Sequence, residues 1–169
     1  MADIYHFSAP GRTEIGGNHT DHQHGCVLTA AVDMETRAEV TLNGTNTIRV
    51  DSEGYKPVKI DLNDLSVKES EKNTTAALIR GVAAAFAQRG YKLAGFDAKV
   101  KSTVLHGSGL SSSVAFEVLI GRILNGLFAN NAVSVIEIAQ IGQYAENVYF
   151  GKPCGLMNQM ASSVGLYIL

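Results

Sequence analysis

The run His106-Gly-Ser-Gly-Leu-Ser-Ser-Ser113 lies directly before an apolar stretch that begins at Val114. Phosphate oxygens bind where backbone N–H groups converge and no Cβ obstructs them, which glycine allows. A helix that begins behind such a loop adds unpaired N–H groups and the positive end of its dipole. The serine hydroxyls can cap that helix, bind phosphate or ligate Mg²⁺. The run therefore indicates a nucleotide-phosphate loop, and an ordinary capped strand-to-helix turn is the alternative.

Two other interpretations of this loop do not fit its residues. A Walker loop requires Gly-Lys-Ser/Thr, which does not follow here. A nucleophile elbow around Ser108 requires glycines at positions 106 and 110, where His106 and Leu110 stand.

Residues 10–26 form a second polar, glycine-rich segment, with no helical or strand period. Such a density of functional groups predicts a loop built for contact. Arg12 can stabilise phosphate charge, and Asn18, His19 and Asp21 can hydrogen-bond sugar hydroxyls. The segment therefore predicts a ligand-binding loop.

The histidines of the same segment leave two alternatives open. His19, His22 and His24, together with Asp21, are metal-ligand types, but their spacing matches no structural zinc pattern. A solvated polar loop without a role is the other alternative.

Composition excludes several classes of protein. The 169 residues are 46% hydrophobic and 18% charged with a net charge of −2, which suits one domain or a piece of a larger protein. The scattered Lys and Arg residues argue against nucleic acid, and no stretch of about 18 apolar residues could span a membrane. Without a secretory start, and with two cysteines, the chain is expected in the cytoplasm.

The elements that must position these residues alternate between strand and helix patterns. Strands are predicted at 4–9, 35–42, 47–52, 58–62 and 96–103, and residues 26–32 suit either a strand or a buried turn of helix. Thr36, Ala38, Val40 and Leu42 are expected on one buried face, and Asn43-Gly44 predicts a hairpin to the next strand. Helices are predicted at 74–88, 110–128 and 134–150.

The end of the sequence is apolar. Residues 165–169 resemble the start of a strand, whereas a free terminus normally frays into polar sequence. We therefore expect the chain to be a fragment of a longer protein.

Three segments together resemble the galactokinase branch of the GHMP small-molecule kinases. Residues 11–22 match the usual Gly-Arg-Val-Asn-Leu-Ile-Gly-Glu-His-Thr-Asp-Tyr signature at Gly11, Arg12, Gly17, His19, Thr20 and Asp21. Residues 105–115 resemble the Pro-x-Gly-x-Gly-Leu-Ser-Ser-Ser-Ala loop, with Leu105 for proline and Val114 for alanine. Residues 145–160, Ala-Glu-Asn-Val-Tyr-Phe-Gly-Lys-Pro-Cys-Gly-Leu-Met-Asn-Gln-Met, are the third segment.

The resemblance implies an α+β fold. It is the GHMP-kinase N-terminal domain (similar to domain 2 of ribosomal protein S5), a mixed β-sheet backed by helices with a left-handed crossover. Residues 1–169 would be that domain, and the C-terminal GHMP domain, with part of the sugar pocket, would be its missing partner.

The resemblance also implies transfer of the ATP γ-phosphate to the anomeric hydroxyl of galactose, with Mg²⁺. Arg12 would stabilise the transferred phosphoryl group, and Ser113 and Glu146 would ligate magnesium. The phosphates would be held by Gly107, Ser108, Gly109, Leu110, Ser111, Ser112 and Ser113. The sugar would be held by Asn18, His19, Asp21 and the backbone near Gly155. If these residues have no such role, Glu146 is expected to be a surface charge and Cys154 a core residue.

Three departures from the family pattern affect these expectations. Asn18 replaces a sugar-binding glutamate, and Glu14 replaces an asparagine. Asn158 stands at the position of the catalytic aspartate, and a neutral amide cannot accept the proton. Loss of a general base costs roughly 10²–10⁴-fold in rate.

Three alternatives therefore remain besides galactose phosphorylation. One is a non-catalytic sensor that binds galactose and ATP. Another is a kinase for a different hexose, such as N-acetylgalactosamine, because residues 14, 18 and 22 lie in the sugar-contact loop. The last is a degenerate product that retains only its folding.

Overall fold

The computed structural model describes residues 3–17 and 26–165. Within these ranges the chain forms five strands and four α-helices. The strands are β1 (Tyr5–Gly16), β2 (Leu28–Leu42), β3 (Thr47–Ser52), β4 (Val58–Asp61) and β5 (Phe96–Ser102). The helices are α1 (Thr75–Gln88), α2 (Ser112–Phe128), α3 (Val135–Tyr144) and α4 (Met157–Val164). None of the helices in these ranges is both long and apolar enough to cross a membrane.

The strands form one mixed sheet in the order β1-β2-β5-β3-β4, which confirms the expected mixed α+β architecture. Strands β3 and β5 are parallel, and the other neighbours are antiparallel.

The prediction of a hairpin at Asn43-Gly44 is wrong, because β5 lies between β2 and β3 and these two strands do not pair. The Asn43 amide instead donates to Thr47 O (3.0 Å) and to Asp97 Oδ1 (2.8 Å), so the turn is fixed to the start of β5. Long-range pairing has overridden the local turn signal.

Strand β1 is longer than the sequence predicts, and this places the first site residue. Residues 10–16, expected in a loop, continue the strand and pair with the first half of β2. The ladder has irregularities between Pro10 and Arg12 and between Glu14 and Gly16, which obscure a strand period in the sequence. Residues 28–32 are therefore strand and not helix.

The alternation of β2 is confirmed at three of its four positions. Thr36, Ala38 and Val40 are buried, whereas Leu42 at the end of the strand is 49% exposed. Residues from the sheet and from the helices share one core, in which Ile48, Ile60 and Phe96 pack with Phe86 and Leu119. The core therefore lies between the sheet and the helices, and it holds α2 against β1 and β2.

The single helix predicted over 134–150 consists of two elements, an α-helix and a π-helical turn. Helix α3 begins with a capping box in which Ser134 and Glu137 satisfy each other's backbone N–H groups, and residues Ala145–Phe150 continue it as a π-helical turn. This turn ends at Gly151, whose φ of +84° favours glycine. It also packs closely on α1, because a Cβ at Gly81 would lie 2.8 Å from the Cβ of Ala145. Glu146 lies within this π-helical turn.

Candidate active site

The loop before α2 owes its shape to residues in the left-handed region. Gly107 and Gly109 both have φ of +78°, and Ser111 has φ of +54°. Since Ser111 leaves the helical conformation, α2 begins at Ser112 and not at Leu110 as predicted. The Ser111 side chain makes no capping hydrogen bond, so the start of α2 lacks the side-chain cap that the ordinary-turn alternative would supply.

Arg12 connects strand β1 to this loop. Its side chain is only 6% exposed, and its Nη1 donates to Gly109 O at 2.7 Å. Its backbone N–H donates to Leu110 O at 3.1 Å. Gly11 allows this approach, because a Cβ there would lie 3.1 Å from the same carbonyl oxygen. The loop is therefore held from β1 by one residue through both its backbone and its side chain.

Arg12 also reaches helix α4. Its Nε donates to Oδ1 of Asn158 at 2.5 Å, which brings together residues 146 positions apart. A guanidinium has only donors, so the oxygen of the amide must face it and the Nδ2 group must face elsewhere. Asn158 lies in the first turn of α4, three residues after Gly155. The structure thus brings the predicted pair Arg12 and Asn158 together beside the loop.

A cavity of about 460 Å³ opens beside the loop. Its polar lining includes His106, Ser112 and Ser113 from the loop and the start of α2. Its apolar lining includes Leu78, Val100, Val104 and Phe116. Clefts of this volume, with apolar walls and a few polar groups, are typical small-molecule sites. The cavity can therefore hold the remainder of a ligand whose phosphates lie on the loop.

Two buried carboxylates lie behind the loop and share one amide. Glu117 and Glu146 are 1% and 2% exposed, and Gln159 is fully buried. The Nε2 group of Gln159 donates to Glu117 Oε1 at 2.9 Å and to Glu146 Oε2 at 3.2 Å. Burial, and then the charge of Glu146, raise the pKa of Glu117 well above its ordinary value. The surface-charge interpretation of Glu146 is therefore wrong.

The helical spacing places these carboxylates on the side of α2 that carries Ser113. Glu117 follows Ser113 by four residues, which is about one turn, so both side chains lie on the same face of α2. Glu117 Oε2 and Gln159 Oε1 are buried and have no hydrogen-bond partner within residues 3–17 and 26–165. Hydroxyl and carboxylate oxygens are the donors that Mg²⁺ takes in proteins, usually with substrate phosphates completing the shell. The chemistry of the donor set fits the predicted ligands Ser113 and Glu146.

Several predicted site residues lie outside the described ranges. Asn18, His19 and Asp21, expected to hold the sugar, are among them, and so are His22 and His24 of the metal alternative. Within the described ranges, no group of three or more His, Cys, Asp or Glu side chains is arranged to hold a metal ion. The sugar contacts from this segment stay predictions.

The segment before α4 is fixed by polar side chains. The backbone N–H of Cys154 donates to Asn147 Oδ1 at 2.8 Å, and the Gln143 amide donates to Cys154 O at 3.1 Å. Cys154 is half-buried, and burial, followed by the neighbouring Glu146, raises the pKa of its thiol. Gly155, predicted to contact the sugar through its backbone, therefore follows an anchored residue.

Sequence reasoning missed Glu117 and Gln159. A signal for Glu117 was present, because it is the one charged residue within the apolar run Val114–Ile120. A charge in the middle of a buried helix face indicates a paired or functional group. Nothing in the sequence marked Gln159, which needed the packing of α4 against α2 to be recognised.

The fold agrees with the family models that match this sequence. The model "GHMP kinases N terminal domain" matches residues 77–166, so the chain belongs to the GHMP kinases. The model "Galactokinase galactose-binding signature" matches residues 2–42, the part that carries Arg12.

Individual relatives point to the galactokinase branch. Galactokinases of Bacillus subtilis and Streptomyces coelicolor are 34% and 37% identical over 161 and 159 residues. These alignments cover 94% and 93% of this chain but only 41% and 40% of the relatives, so the chain spans about two fifths of their length. The structure of Lactococcus lactis galactokinase complexed with galactose matches with a TM-score of 0.87 at 29% identity, over 95% of this chain and 42% of that one. A Methanococcus jannaschii mevalonate kinase shares the fold, with a TM-score of 0.77 at 14% identity over 97% of this chain and 51% of that one.

Proposed function

We propose that the protein is a galactokinase-type sugar kinase that transfers the ATP γ-phosphate to the anomeric hydroxyl of galactose. The observation that carries this proposal is the position of Arg12. Its guanidinium donates one hydrogen bond to Gly109 O in the loop and another to Asn158 Oδ1 on α4. A fixed cation between the two halves of a site suits phosphoryl transfer, because that chemistry depends on positioning and on charge stabilisation.

The nucleotide is assigned to the loop and the adjoining cavity. Residues 107–113 supply the backbone N–H groups and hydroxyls for the phosphates, and Arg12 approaches the loop from β1. The 460 Å³ cavity begins at Ser112 and Ser113 and would take the nucleoside. Ser113 and Glu146 would hold magnesium, which neutralises phosphate charge when bound.

The sugar is assigned to the signature segment and the start of α4. The galactose-binding signature model spans residues 2–42, and the Lactococcus lactis galactokinase matched above is complexed with galactose. Asn18, His19 and Asp21 would bind hydroxyls together with the backbone at Gly155. In this proposal residues 1–169 are the N-terminal GHMP domain of a longer protein, whose C-terminal domain completes the sugar pocket.

Asn158 makes the proposed transfer slow. Its oxygen is held by Arg12, and a neutral amide neither accepts a proton nor lowers the pKa of the sugar hydroxyl. We expect a rate roughly 10²–10⁴-fold below that of an aspartate-containing site.

The test is the Asn158→Asp change in the intact protein, followed by ADP release with galactose. The aspartate variant should release ADP faster by at least tenfold, and Asn46→Asp, at an exposed loop position, should not change the rate. If the unmodified protein already turns over as fast as the aspartate variant, the assignment of an impaired base is wrong.

Asn158 also favours a second candidate, a non-catalytic sensor of galactose and ATP. Calorimetry of Mg-ATP with and without galactose separates it from the kinase, because a sensor shows binding heat but no ADP. N-acetylgalactosamine and other hexoses in the same titrations test the sugar assignment. No heat in any titration would contradict both candidates.

A further inference from the structure

The amide of Gln159 joins two carboxylates that come from different elements. Its Nε2 donates to Oε1 of Glu117 on α2 at 2.9 Å and to Oε2 of Glu146 in the π-helical turn at 3.2 Å. An amide nitrogen carries two hydrogens, and its further contact, with Cys154 Sγ, is longer at 3.6 Å. The reversed amide would point its oxygen at two carboxylate oxygens, which would repel it. The two carboxylates therefore set the orientation of Gln159, although its own oxygen has no hydrogen-bond partner among the described residues.

The backbone and the side chain of Glu146 are held by different groups. Its carbonyl oxygen accepts from the N–H groups of Gly151 at 2.9 Å and of Lys152 at 3.1 Å, which fixes the π-helical turn but not the side-chain torsions. The side chain is 2% exposed, so protein donors and not bulk water must orient its carboxylate. Gln159 supplies an amide donor to it, and the thiol of Cys154, a weaker donor, also interacts with it.

Helix α3 packs directly against the side chains of Gln159 and Glu117. A Cβ at Gly142 on α3 would lie 3.2 Å from Cγ of Gln159 and 3.3 Å from Cγ and Cδ of Glu117. The backbone of α3 therefore leaves no free space beside these two side chains. Gln159 is fully buried and Glu117 is 1% exposed, so neither can turn towards solvent. Their hydrogen bond is held in place by packing as well as by its own geometry.

These contacts connect Glu146 to the helix that carries Ser113. Glu117 lies about one turn after Ser113 on the same face of α2, and it anchors the amide that reaches Glu146. We infer that Gln159 is a positioning residue, which holds the Glu146 carboxylate in the orientation that magnesium binding with Ser113 requires. This inference rests on the proposed function, which assigns Ser113 and Glu146 to magnesium. Mg²⁺ demands near-ideal octahedral geometry, so it tolerates little displacement of a ligand.

The test measures ATP binding to the intact protein by calorimetry, once with Mg²⁺ and once with EDTA. The ratio of the two dissociation constants, without and with the metal, is the magnesium advantage. Gln159→Met keeps a side chain of similar length but removes both N–H donors, and it should lower the magnesium advantage by about tenfold or more. The affinity for metal-free ATP should not change, because Gln159 is fully buried and does not line the cavity. A purely structural role would weaken both affinities together.

Two changes at Glu117 test its part as the anchor. Glu117→Met removes the acceptor for the Gln159 amide and should lower the magnesium advantage. Glu117→Gln keeps an acceptor oxygen for that amide and should retain the advantage. If Glu117→Gln lowers the advantage as much as Gln159→Met does, the anchoring role of Glu117 is wrong.

Gly142→Ala tests the inference without altering any polar group. Its methyl group would press on both Gln159 and Glu117 and should lower the magnesium advantage. The matched control is Gly121→Ala, also at a close helix contact, where a Cβ would lie 3.0 Å from Cγ2 of Ile138. This control should leave the advantage unchanged. The pair keeps the inference testable if Gln159→Met does not fold.

Two results would overturn the positioning role of Gln159. One is a magnesium advantage that stays unchanged in both Gln159→Met and Gly142→Ala. The other is an equal loss of ATP affinity with and without the metal, which would show that Gln159 only stabilises the fold. Failure of the proposed function is visible in the unmodified protein, which would then bind no ATP or would bind it equally well with and without Mg²⁺.

Discussion

Arg12 and Asn158 meet through an Nε–Oδ1 hydrogen bond of 2.5 Å although 146 positions separate them in the sequence. The same guanidinium donates to the carbonyl oxygen of Gly109 at 2.7 Å. One buried side chain thus sets the distance between the glycine loop and the first turn of α4. The geometry of the proposed transfer depends on these two hydrogen bonds from the Arg12 guanidinium.

Arg12→Lys should weaken this arrangement while keeping its positive charge. A lysine has one ammonium in place of the planar fork, so it cannot reproduce both bonds in the same geometry. Bonds to charged groups contribute about 1.5–3 kcal/mol, and we expect a loss of unfolding free energy of that order. Urea unfolding measures it, and hydrogen exchange should show faster exchange at residues 107–111.

A matched control is Arg37→Lys, because Arg37 is an exposed strand residue paired with Glu35 at the surface. Exposed pairs contribute less than about 1 kcal/mol, so this variant should unfold close to the unmodified protein. Equal losses of unfolding free energy in the two variants would contradict the role given to the hydrogen bonds of the Arg12 guanidinium.

Glu117→Gln should stabilise the protein increasingly as pH rises. Burial holds the folded pKa of Glu117 above its ordinary value of 4.5, so the folded state binds more protons than the unfolded state above that pH. The stability of the unmodified protein therefore contains a component that falls as pH rises from 4.5 through the folded pKa. Glutamine keeps an acceptor for Gln159 and removes that component, and we expect a gain of about 1–3 kcal/mol at pH 8.

Urea unfolding at several pH values from 5 to 8 measures the difference between the glutamine variant and the unmodified protein. Glu39→Gln on the exposed face of β2 is the control, and it should show no comparable trend. A difference that stays constant with pH would contradict the assignment of a raised pKa to Glu117.

Glu71→Gln should destabilise the protein at neutral pH and much less in acid. Both Glu71 oxygens accept hydrogen bonds from the guanidinium of Arg80, at 2.7 and 2.8 Å, and Arg80 is only 3% exposed. The hydrogen bonds from Arg80 lower the pKa of Glu71 below 4.5, so their stabilisation is present above that pH and is lost as pH falls through the folded pKa. Because Glu71 is partly exposed, we expect a loss of about 1–3 kcal/mol at pH 7.

Glu69 lies in the same short 3₁₀-helical turn, Glu69–Glu71, and provides the control for this change. Glu69 pairs with Lys72 at 2.8 Å, but its side chain is 80% exposed. Glu69→Gln should therefore cost less than about 0.5 kcal/mol at any pH. Thermal unfolding of both variants at pH 7 and pH 3 distinguishes them, and a Glu71 effect that persists unchanged at pH 3 would refute the ion-pair explanation.

The sequence alone was informative wherever the deciding contacts are local. The period of α1, the alternation at Thr36, Ala38 and Val40 and the glycines at 107 and 109 could each be recognised, because helix period, strand alternation and turn geometry depend on near neighbours. The combination of Arg12, the serine loop and Glu146 also indicated the family, since residue types at fixed spacing carry chemical information.

Tertiary structure decided what depends on residues far apart in the chain. Local signals at Asn43-Gly44 predicted a hairpin, but β5 pairs along both of its edges and so lies between β2 and β3. The burial of Glu117 and Glu146 around Gln159 arose only when α2, α4 and the π-helical turn packed together. The orientation of the Asn158 amide likewise follows from the donors of Arg12. Sequence thus determined which chemical groups are available, and folding decided which of them face each other, because long-range packing is set by the whole core.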